Sequence, residues 1–364
     1  MKTKIAIACQ GGGSQTAFTA GVLKALSESH LQDDFEFVSI SGTSGGALCA
    51  TLVWYSLRKG EQPVWKRLID FWHDNTAQNF SEEMFNSVMI EWMRLVNSGF
   101  LPVYQTSPAS PLIQAMGQFA SSGHRAEFSN FPALLRRHID FDEIAAWGPQ
   151  SKPPVLIIGA ASVLTGRLRK FNSSQEAIRM EHILASAAVP NIFPAVPVGD
   201  DALWDGLFSD NPPLDDLVRK GVVGDGNIPN EIWIIKINPT ARQSVPVMAN
   251  EIADRRNQLE GNVSMFQNLK WIEMINDLIL LGAFKPEFLE QFDVSQPVRI
   301  PKAFASEPDK AYHIPWIEMS AEMQQSLDYE GKLDRSRKNV DALLAHGEER
   351  GRAFLAERAQ RLGS

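Results

Sequence analysis

One stretch constrains the fold of this chain more than any other: a short apolar strand that turns sharply through small residues into an apolar helix. The strand is predicted over residues 35–40, the sequence GTSGG follows at residues 42–46, and the helix begins near Gly45. A strand that turns directly into a helix strains its middle residue, so a GxSxG pattern needs small neighbours there. Because such patterns also recur by chance in tight turns, the flanking strand and helix carry the argument.

Ser44 is the middle residue of this turn and the candidate nucleophile. Its flanking glycines, Gly42 and Gly46, are the expected elbow positions, where larger side chains would collide. The turn places the hydroxyl at the N-terminal end of a helix, where unpaired N–H groups and the helix dipole favour developing negative charge. The alternative interpretation is a structural serine in an ordinary turn.

A second unit of strand, glycines and helix precedes the first. An apolar strand leads to Gly11, Gly12 and Gly13, and a helix with apolar residues at helical spacing follows. Glycines let main-chain N–H groups approach a ligand closely, and we expect these three to form an oxyanion hole for Ser44. A dinucleotide loop is the weaker alternative, because the third glycine of G-x-G-x-x-G would fall at Thr16.

The order of strands and helices predicts an α/β fold. Through residue 60 it predicts parallel neighbouring strands, with both glycine turns at the carboxyl end of one sheet, where loops meet in a crevice. Further strands are expected at residues 155–166, 167–172 and 231–238, the last of these ending the main sheet. A helix is expected from about Met180 to just before Pro190, and helices dominate after residue 247.

Asp205 is the candidate base. It stands beside Gly206 between the apolar residues Trp204 and Leu207, and a carboxylate in such surroundings costs desolvation energy unless it has a partner. The alternative is an Asp-Gly turn in a β-hairpin.

Residues 61–150 are helical in pattern and rich in aromatic residues and methionine. The plainer interpretation is a helical layer whose aromatic stripe is core. The other is a cap over the crevice that binds acyl chains, since Met and aromatic surfaces adapt to flexible apolar ligands. The residues concerned are Trp65, Phe71, Trp72, Phe80, Met84, Phe85, Met89, Trp92, Met93, Phe100 and Phe119.

Composition argues against several kinds of partner. The chain has 35 Lys and Arg against 43 Asp and Glu, a net charge of −8 that gives no footprint for nucleic acid. Cys9 and Cys49 lie in apolar stretches and predict neither a disulfide framework nor a zinc site. We expect no metal, no cofactor, a reducing and therefore cytoplasmic location, and no segment that spans a bilayer. Peripheral membrane contact and the oligomeric state stay open.

Four blocks occur in order: the glycine run, GTSGG, ASAAVPNIFPAV at residues 185–196, and Asp205-Gly206. With these blocks the chain resembles the patatin-like phospholipases over roughly residues 4–238. The resemblance implies a three-layer α/β/α sandwich with a mostly parallel central sheet, a dyad of Ser44 and Asp205 without histidine, and hydrolysis of lipid acyl esters such as phospholipids or lysophospholipids.

The resemblance also implies a division of the chain. Residues 1–240 would form the catalytic domain, with 61–150 inserted as a helical cap, and residues 241–364 a helical extension packed on the same domain. Two positions depart from the family pattern. Gln15 and Thr16 stand where a basic residue and glycine are usual, and Leu207 follows the Asp-Gly pair where glycine or alanine is common.

Three other functions remain as alternatives. One is an α/β-hydrolase type of esterase, in which Ser44 works with a downstream acid and His313 or His182. Another is an acyltransferase, with an alcohol in place of water. The last is a lipid- or nucleotide-binding protein without catalysis, in which Ser44 is structural.

Overall fold

The computed structural model describes residues 2–29, 34–100, 123–190, 192–294, 296–301 and 316–362. Phe119 and His313 lie outside the described residues. The strands are β1 Thr3–Cys9, β2 Phe35–Thr43, β3 Val155–Ser162, β4 Leu168–Asn172, β5 Val196–Val198, β6 Asp201–Asp205, β7 Glu231–Lys236 and β8 Ile317–Glu318.

The helices surround this sheet in chain order. They are α1 Ala17–Glu28, α2 Gly45–Lys59, α3 Lys66–Asn75, α4 Phe80–Asn97, α5 Ala126–Ser129, α6 Phe131–His138, α7 Phe141–Trp147, α8 Met180–Ser186, α9 Lys220–Val223, α10 Ala249–Leu280, α11 Pro286–Gln291, α12 Ala321–Ser326 and α13 Arg337–Leu362. Short 3-10 turns lie at Gly13–Thr16, Gly206–Phe208, Asp215–Val218 and Glu330–Leu333.

The described strands form one sheet of eight, in the order β5-β6-β3-β2-β1-β7-β8, with β4 also paired to β3. β1 pairs in parallel with β2 and β7, and β2 with β3, as the strand–helix–strand order predicts. β4, β5 and β6 join in antiparallel pairs. The expectation that residues 231–238 end the sheet is wrong, because β8 pairs beyond β7. Two residues are too short for a periodic pattern to reveal.

Side chains alternate between the two faces of the sheet, and helices cover both faces. In β1, Ile5 and Ile7 belong to the core cluster that contains Trp54 of α2, whereas Ala6 and Ala8 belong to a second cluster with Leu269 of α10. A parallel strand buried on both faces reads as a continuous apolar run, which is what residues 4–9 show. The fold is therefore α/β, with a mostly parallel central sheet between helical layers.

The aromatic residues of 61–150 divide between core and surface. Phe71 and Trp72 of α3 are buried in the main core, as the plainer interpretation predicts. On α4, Met84 and Trp92 are 54 % and 44 % exposed, so this helix carries an apolar outer face. A cap that binds acyl chains stays a prediction.

Residues beyond 240 contact the core closely. α13 crosses α1 where a Cβ added to Gly21 would lie 2.0 Å from the Leu344 carbonyl oxygen, and one added to Gly347 would lie 2.1 Å from that of Phe18. Leu343 of α13 is fully buried in the main core. Within the described ranges, the search for a helix with the length and apolar character to cross a bilayer finds none. The domain boundary near residue 240 stays a prediction.

Candidate active site

Ser44 lies at the turn between β2 and α2. β2 continues to Thr43, further than the predicted end at Ile40, and α2 begins at Gly45, so no loop separates strand from helix. Ser44 has φ 57° and ψ −131°, a region that residues with a Cβ rarely occupy. Such backbone strain costs about 1–3 kcal/mol and is concentrated at functional sites in proteins.

The two predicted elbow glycines have no room for a side chain. A Cβ added to Gly42 would lie 2.6 Å from the main-chain nitrogen of Ala47, and one added to Gly46 would lie 2.2 Å from the Cys9 carbonyl oxygen. The start of α2 can therefore approach the end of β1 only because these positions lack side chains.

The pairing of β6 with β3 sets the position of Asp205. On β3, Gly159 is the register partner of Thr43 in β2, and the next residue, Ala160, is the partner of Asp205 in β6. Ala160 also pairs with β4, and a strand has only two edges, so β6 continues along the edge that β2 occupies. The C-terminal ends of β2 and β6 therefore meet, with Ser44 and Asp205 at the junction.

Asp205 is not the turn of a β-hairpin, so that alternative is wrong. The hairpin of β5 and β6 turns at Gly199, whereas Asp205 ends β6 and Gly206 begins a 3-10 turn. A Cβ added to Gly206 would lie 2.7 Å from the Gly159 carbonyl oxygen. Glycine is needed here for close packing against β3.

The Asp205 side chain is fully buried and half satisfied. Oδ1 accepts a hydrogen bond from the Leu207 N–H at 2.8 Å, whereas Oδ2 has no hydrogen-bond partner among the described residues. Burial raises the pKa of Asp205 to about 7, and the Ser44 hydroxyl, the Leu207 N–H and the Lys332 ammonium oppose this rise. Ser44 is thus near enough to act on Asp205 without the geometry of a hydrogen bond to Oδ2. Catalytic contacts are often loose without substrate.

The segment after α8 holds both candidate residues. The Ser44 N–H donates to Ser186 Oγ at 2.9 Å, and Ser186 Oγ in turn donates to the Gly159 carbonyl oxygen at 2.7 Å. The Asp205 N–H donates to the Ala188 carbonyl oxygen at 3.0 Å. A single short stretch therefore fixes the backbone of both residues.

The glycine run approaches Ser44 from the end of β1. A Cβ added to Gly11 would lie 2.8 Å from Ser44 Cβ, and Gly13 has φ 56°. The Gly11 N–H donates to Asn211 Oδ1 at 2.7 Å. In the part of the chain that the structure describes, the N–H groups of Gly12 and Gly13 have no acceptor. These two donors are available to a ligand, and Gly11 is committed to the fold.

Sequence reasoning missed three side chains at this site: Ser186, Asn211 and Lys332. Ser186 lies within ASAAVPNIFPAV and Asn211 soon after Asp205-Gly206, so attention to the polar residues of those stretches could have found them. Lys332 follows no pattern in the sequence and is brought in only by tertiary folding.

The described histidines are not bonded to Ser44. The His182 ring stacks on Phe171 with ring centroids 3.9 Å apart, and its Nε2 lies 3.1 Å from the Arg179 Nε. Burial, with the nearby arginines, lowers the pKa of His182 to about 3. His182 is therefore a packed and neutral core residue.

A cluster of carboxylates lies beyond Asp205. Asp210, Asp215 and Asp216 place oxygens within 4.8 Å of one another, the spacing of a metal site. The Lys170 ammonium lies 2.9 Å, 2.9 Å and 2.5 Å from them respectively. Lys170 already supplies the positive charge that these groups require.

Comparison with known proteins places the chain among described sequences. The sequence model of the patatin-like phospholipases matches residues 7–218, a stretch that contains Ser44 and Asp205. No curated protein matches the chain.

Two solved structures are similar. VipD from Legionella pneumophila is 13% identical with a TM-score of 0.40, over 98% of this chain and 67% of VipD. The heterodimeric complex ExoU-SpcU from the type III secretion system of Pseudomonas aeruginosa gives 16% identity and a TM-score of 0.26, over 99% of this chain and 78% of that one.

Proposed function

The chain belongs to the patatin-like phospholipase family, and from that premise we propose that it hydrolyses acyl esters of phospholipids or lysophospholipids through an acyl-enzyme on Ser44. The observation that carries the proposal is the environment of Asp205. Its carboxyl is buried beside the Ser44 turn, one oxygen lacks a partner among the described residues, and its pKa is raised to about 7. A general base is most effective when its pKa lies near the working pH.

In the first half of the reaction, Ser44 Oγ attacks the ester carbonyl carbon while its proton passes to Asp205 Oδ2. An aspartate is a much weaker base than an alkoxide, so proton transfer accompanies bond formation. The carbonyl oxygen becomes negative and accepts hydrogen bonds from the Gly12 and Gly13 N–H groups, each worth about 3 kcal/mol. The alcohol then leaves with the proton from Asp205, and the acyl group remains on Ser44.

In the second half, water takes the place of the alcohol. Asp205 accepts a proton from the water as it attacks the acyl carbon, and the fatty acid leaves as Ser44 regains its proton. The free enzyme is restored with no net change in its protons.

The test combines a serine-directed probe with product analysis. A fluorophosphonate should label the wild type and the control variant Ser98→Ala, but not Ser44→Ala. With a panel of phospholipids, lysophospholipids and neutral lipids, mass spectrometry should detect released fatty acid from the wild type only, with Asp205→Asn reduced by at least about 10³-fold. Equal labelling of Ser44→Ala and the wild type, or no fatty acid from any lipid, would reject the proposal.

The same assay separates the alternatives. A triad with histidine predicts loss of turnover in His313→Ala or His182→Gln, whereas the proposed dyad predicts turnover close to that of the wild type in the folded protein. Acyl transfer predicts an esterified alcohol among the products in place of free fatty acid. A binding protein without catalysis predicts lipid binding with no probe labelling.

A further inference from the structure

A segment far outside the family match closes against the glycine run. The 3-10 turn Glu330–Leu333 lies where a Cβ added to Gly13 would come within 2.3 Å of the Lys332 carbonyl oxygen. Gln15 Nε2 donates to the carbonyl oxygen of Asp328, just before this turn, at 3.0 Å. Gln15 stands where the family resemblance leads one to expect a basic residue, and here its amide holds the segment that carries Lys332.

Several contacts fix this segment in place. Arg94 of α4 binds the Asp328 carboxylate through Nε at 3.1 Å and Nη2 at 3.0 Å, and Asn97 donates to Glu330. The Gly331 N–H donates to Asp328 Oδ1 at 2.7 Å. The turn is therefore attached both to α4 and to the glycine run, so its position is tied to that of the site.

The Lys332 side chain points into the protein. The residue is only partly exposed, and protein atoms surround its ammonium, which donates to Asn238 Oδ1 at 2.9 Å and to Asn257 Oδ1 at 2.5 Å. The Asn238 amide lies against Gly261, which also contacts Leu207, two residues after Asp205. Neutral amides satisfy the hydrogen bonds of the ammonium but leave its charge uncompensated, so the charge acts on the carboxylates nearby.

Asp205 is one of those carboxylates. Lys332 lowers the pKa of Asp205, and Asp205 and Asp254 of α10 raise that of Lys332. Burial is the larger effect on the lysine and lowers its pKa to about 8, so that it is charged at neutral pH. The other titratable groups around this pair are Tyr329, Glu330, Asp328, Glu260 and Arg242.

We propose that this C-terminal segment completes the candidate active site, with Lys332 as a positioning residue whose charge favours the carboxylate form of Asp205 and whose main chain encloses Gly13. The inference rests on the proposed function for its catalytic consequence. Its electrostatic part concerns Asp205 alone and can be measured without turnover.

The experiment compares Lys332→Met with Lys332→Arg and with Lys338→Met, which removes an exposed lysine of α13. Each protein is labelled with ¹³C at the aspartate carboxyl carbons and titrated by NMR, and the Asp205 signal is identified by its absence in Asp205→Asn. We expect the Asp205 titration to move up by about one pH unit in Lys332→Met, and to stay unchanged in Lys338→Met. Lys332→Arg should keep most of the wild-type value.

The acid limb of kcat/KM for ester hydrolysis should move by the same amount in Lys332→Met. An Asp205 titration in Lys332→Met that matches the wild type would overturn the inference. If the NMR shift appears while the wild type releases no fatty acid, the proposed function fails and the link between Lys332 and Asp205 stands. Should Lys332→Met not fold by circular dichroism, Lys332→Gln can still donate to Asn238 and must show the same shift.

Discussion

Thr43 and Asp205 occupy consecutive positions along one edge of β3, because their register partners, Gly159 and Ala160, are neighbours in that strand. β2 runs parallel to β3 and β6 runs antiparallel to it, so the two strands meet at their C-terminal ends. Ser44 follows the first of these ends directly. The separation of the candidate nucleophile from the candidate base is therefore set by main-chain pairing in the sheet, the most rigid part of the fold.

The strain at Ser44 gives a prediction that separates stability from activity. Serine and alanine share the cost of φ 57°, about 1–3 kcal/mol, whereas glycine adopts this conformation freely and loses about 0.5–1 kcal/mol through its more flexible unfolded state. Ser44→Gly should therefore be more stable than Ser44→Ala by about 1 kcal/mol, with both variants inactive. Urea unfolding of the two proteins provides the measurement. Equal midpoints and slopes would mean that the strain is not stored at Ser44.

The buried carboxyl of Asp205 should make stability depend on pH. Its folded pKa, about 7, lies above its ordinary value of 3.8, so between these values the folded state holds a proton that the unfolded state has lost. The stabilisation is present below about pH 4 and is lost as pH rises towards 7. Asp205→Asn should thus gain on the wild type by a few kcal/mol between pH 4 and 7. A constant difference in unfolding free energy across that range would contradict the raised pKa.

The same group should set the acid limb of the rate profile. Only the carboxylate form of Asp205 can accept the Ser44 proton, so kcat/KM should rise tenfold per pH unit below about pH 7 and level off above it. Initial rates of fatty acid release, measured from pH 5 to 9 at fixed ionic strength, test this. An acid limb near pH 4 would show that the working base is an ordinary exposed carboxylate.

Local patterns in the sequence predicted the parts of the site that local chemistry dictates. A sharp strand-to-helix turn requires small residues, and GTSGG at residues 42–46 shows that requirement directly. Parallel pairing of β1 with β2 follows from the order of elements, which has few topological solutions.

The parts that failed depend on tertiary contacts. β2 extends through Gly42, a residue that weakens isolated strands, because pairing with β3 supports it. β8 is too short to show alternation, and Lys332 reaches the site on a segment whose sequence carries no signal for it. The Gly11 N–H was expected in the oxyanion hole, but its bond to Asn211 could not be foreseen, because the donor and acceptor lie far apart in the chain.

The close approach of α2 to β1 at Gly46 gives the last prediction. A methyl group there would meet the Cys9 carbonyl oxygen at 2.2 Å, and main chain on both sides cannot move aside cheaply. Gly46→Ala should destabilise the protein by about 3 kcal/mol or more and should lower turnover, because a shift of α2 moves Ser44 away from Asp205. The matched control is Gly221→Ala, since nothing lies within 4 Å of a Cβ at that position in α9. That variant should be neutral or more stable by up to about 1 kcal/mol. Denaturant unfolding and fatty acid release of both variants decide the matter, and a Gly46→Ala protein that behaves like its control would mean that the elbow tolerates a side chain.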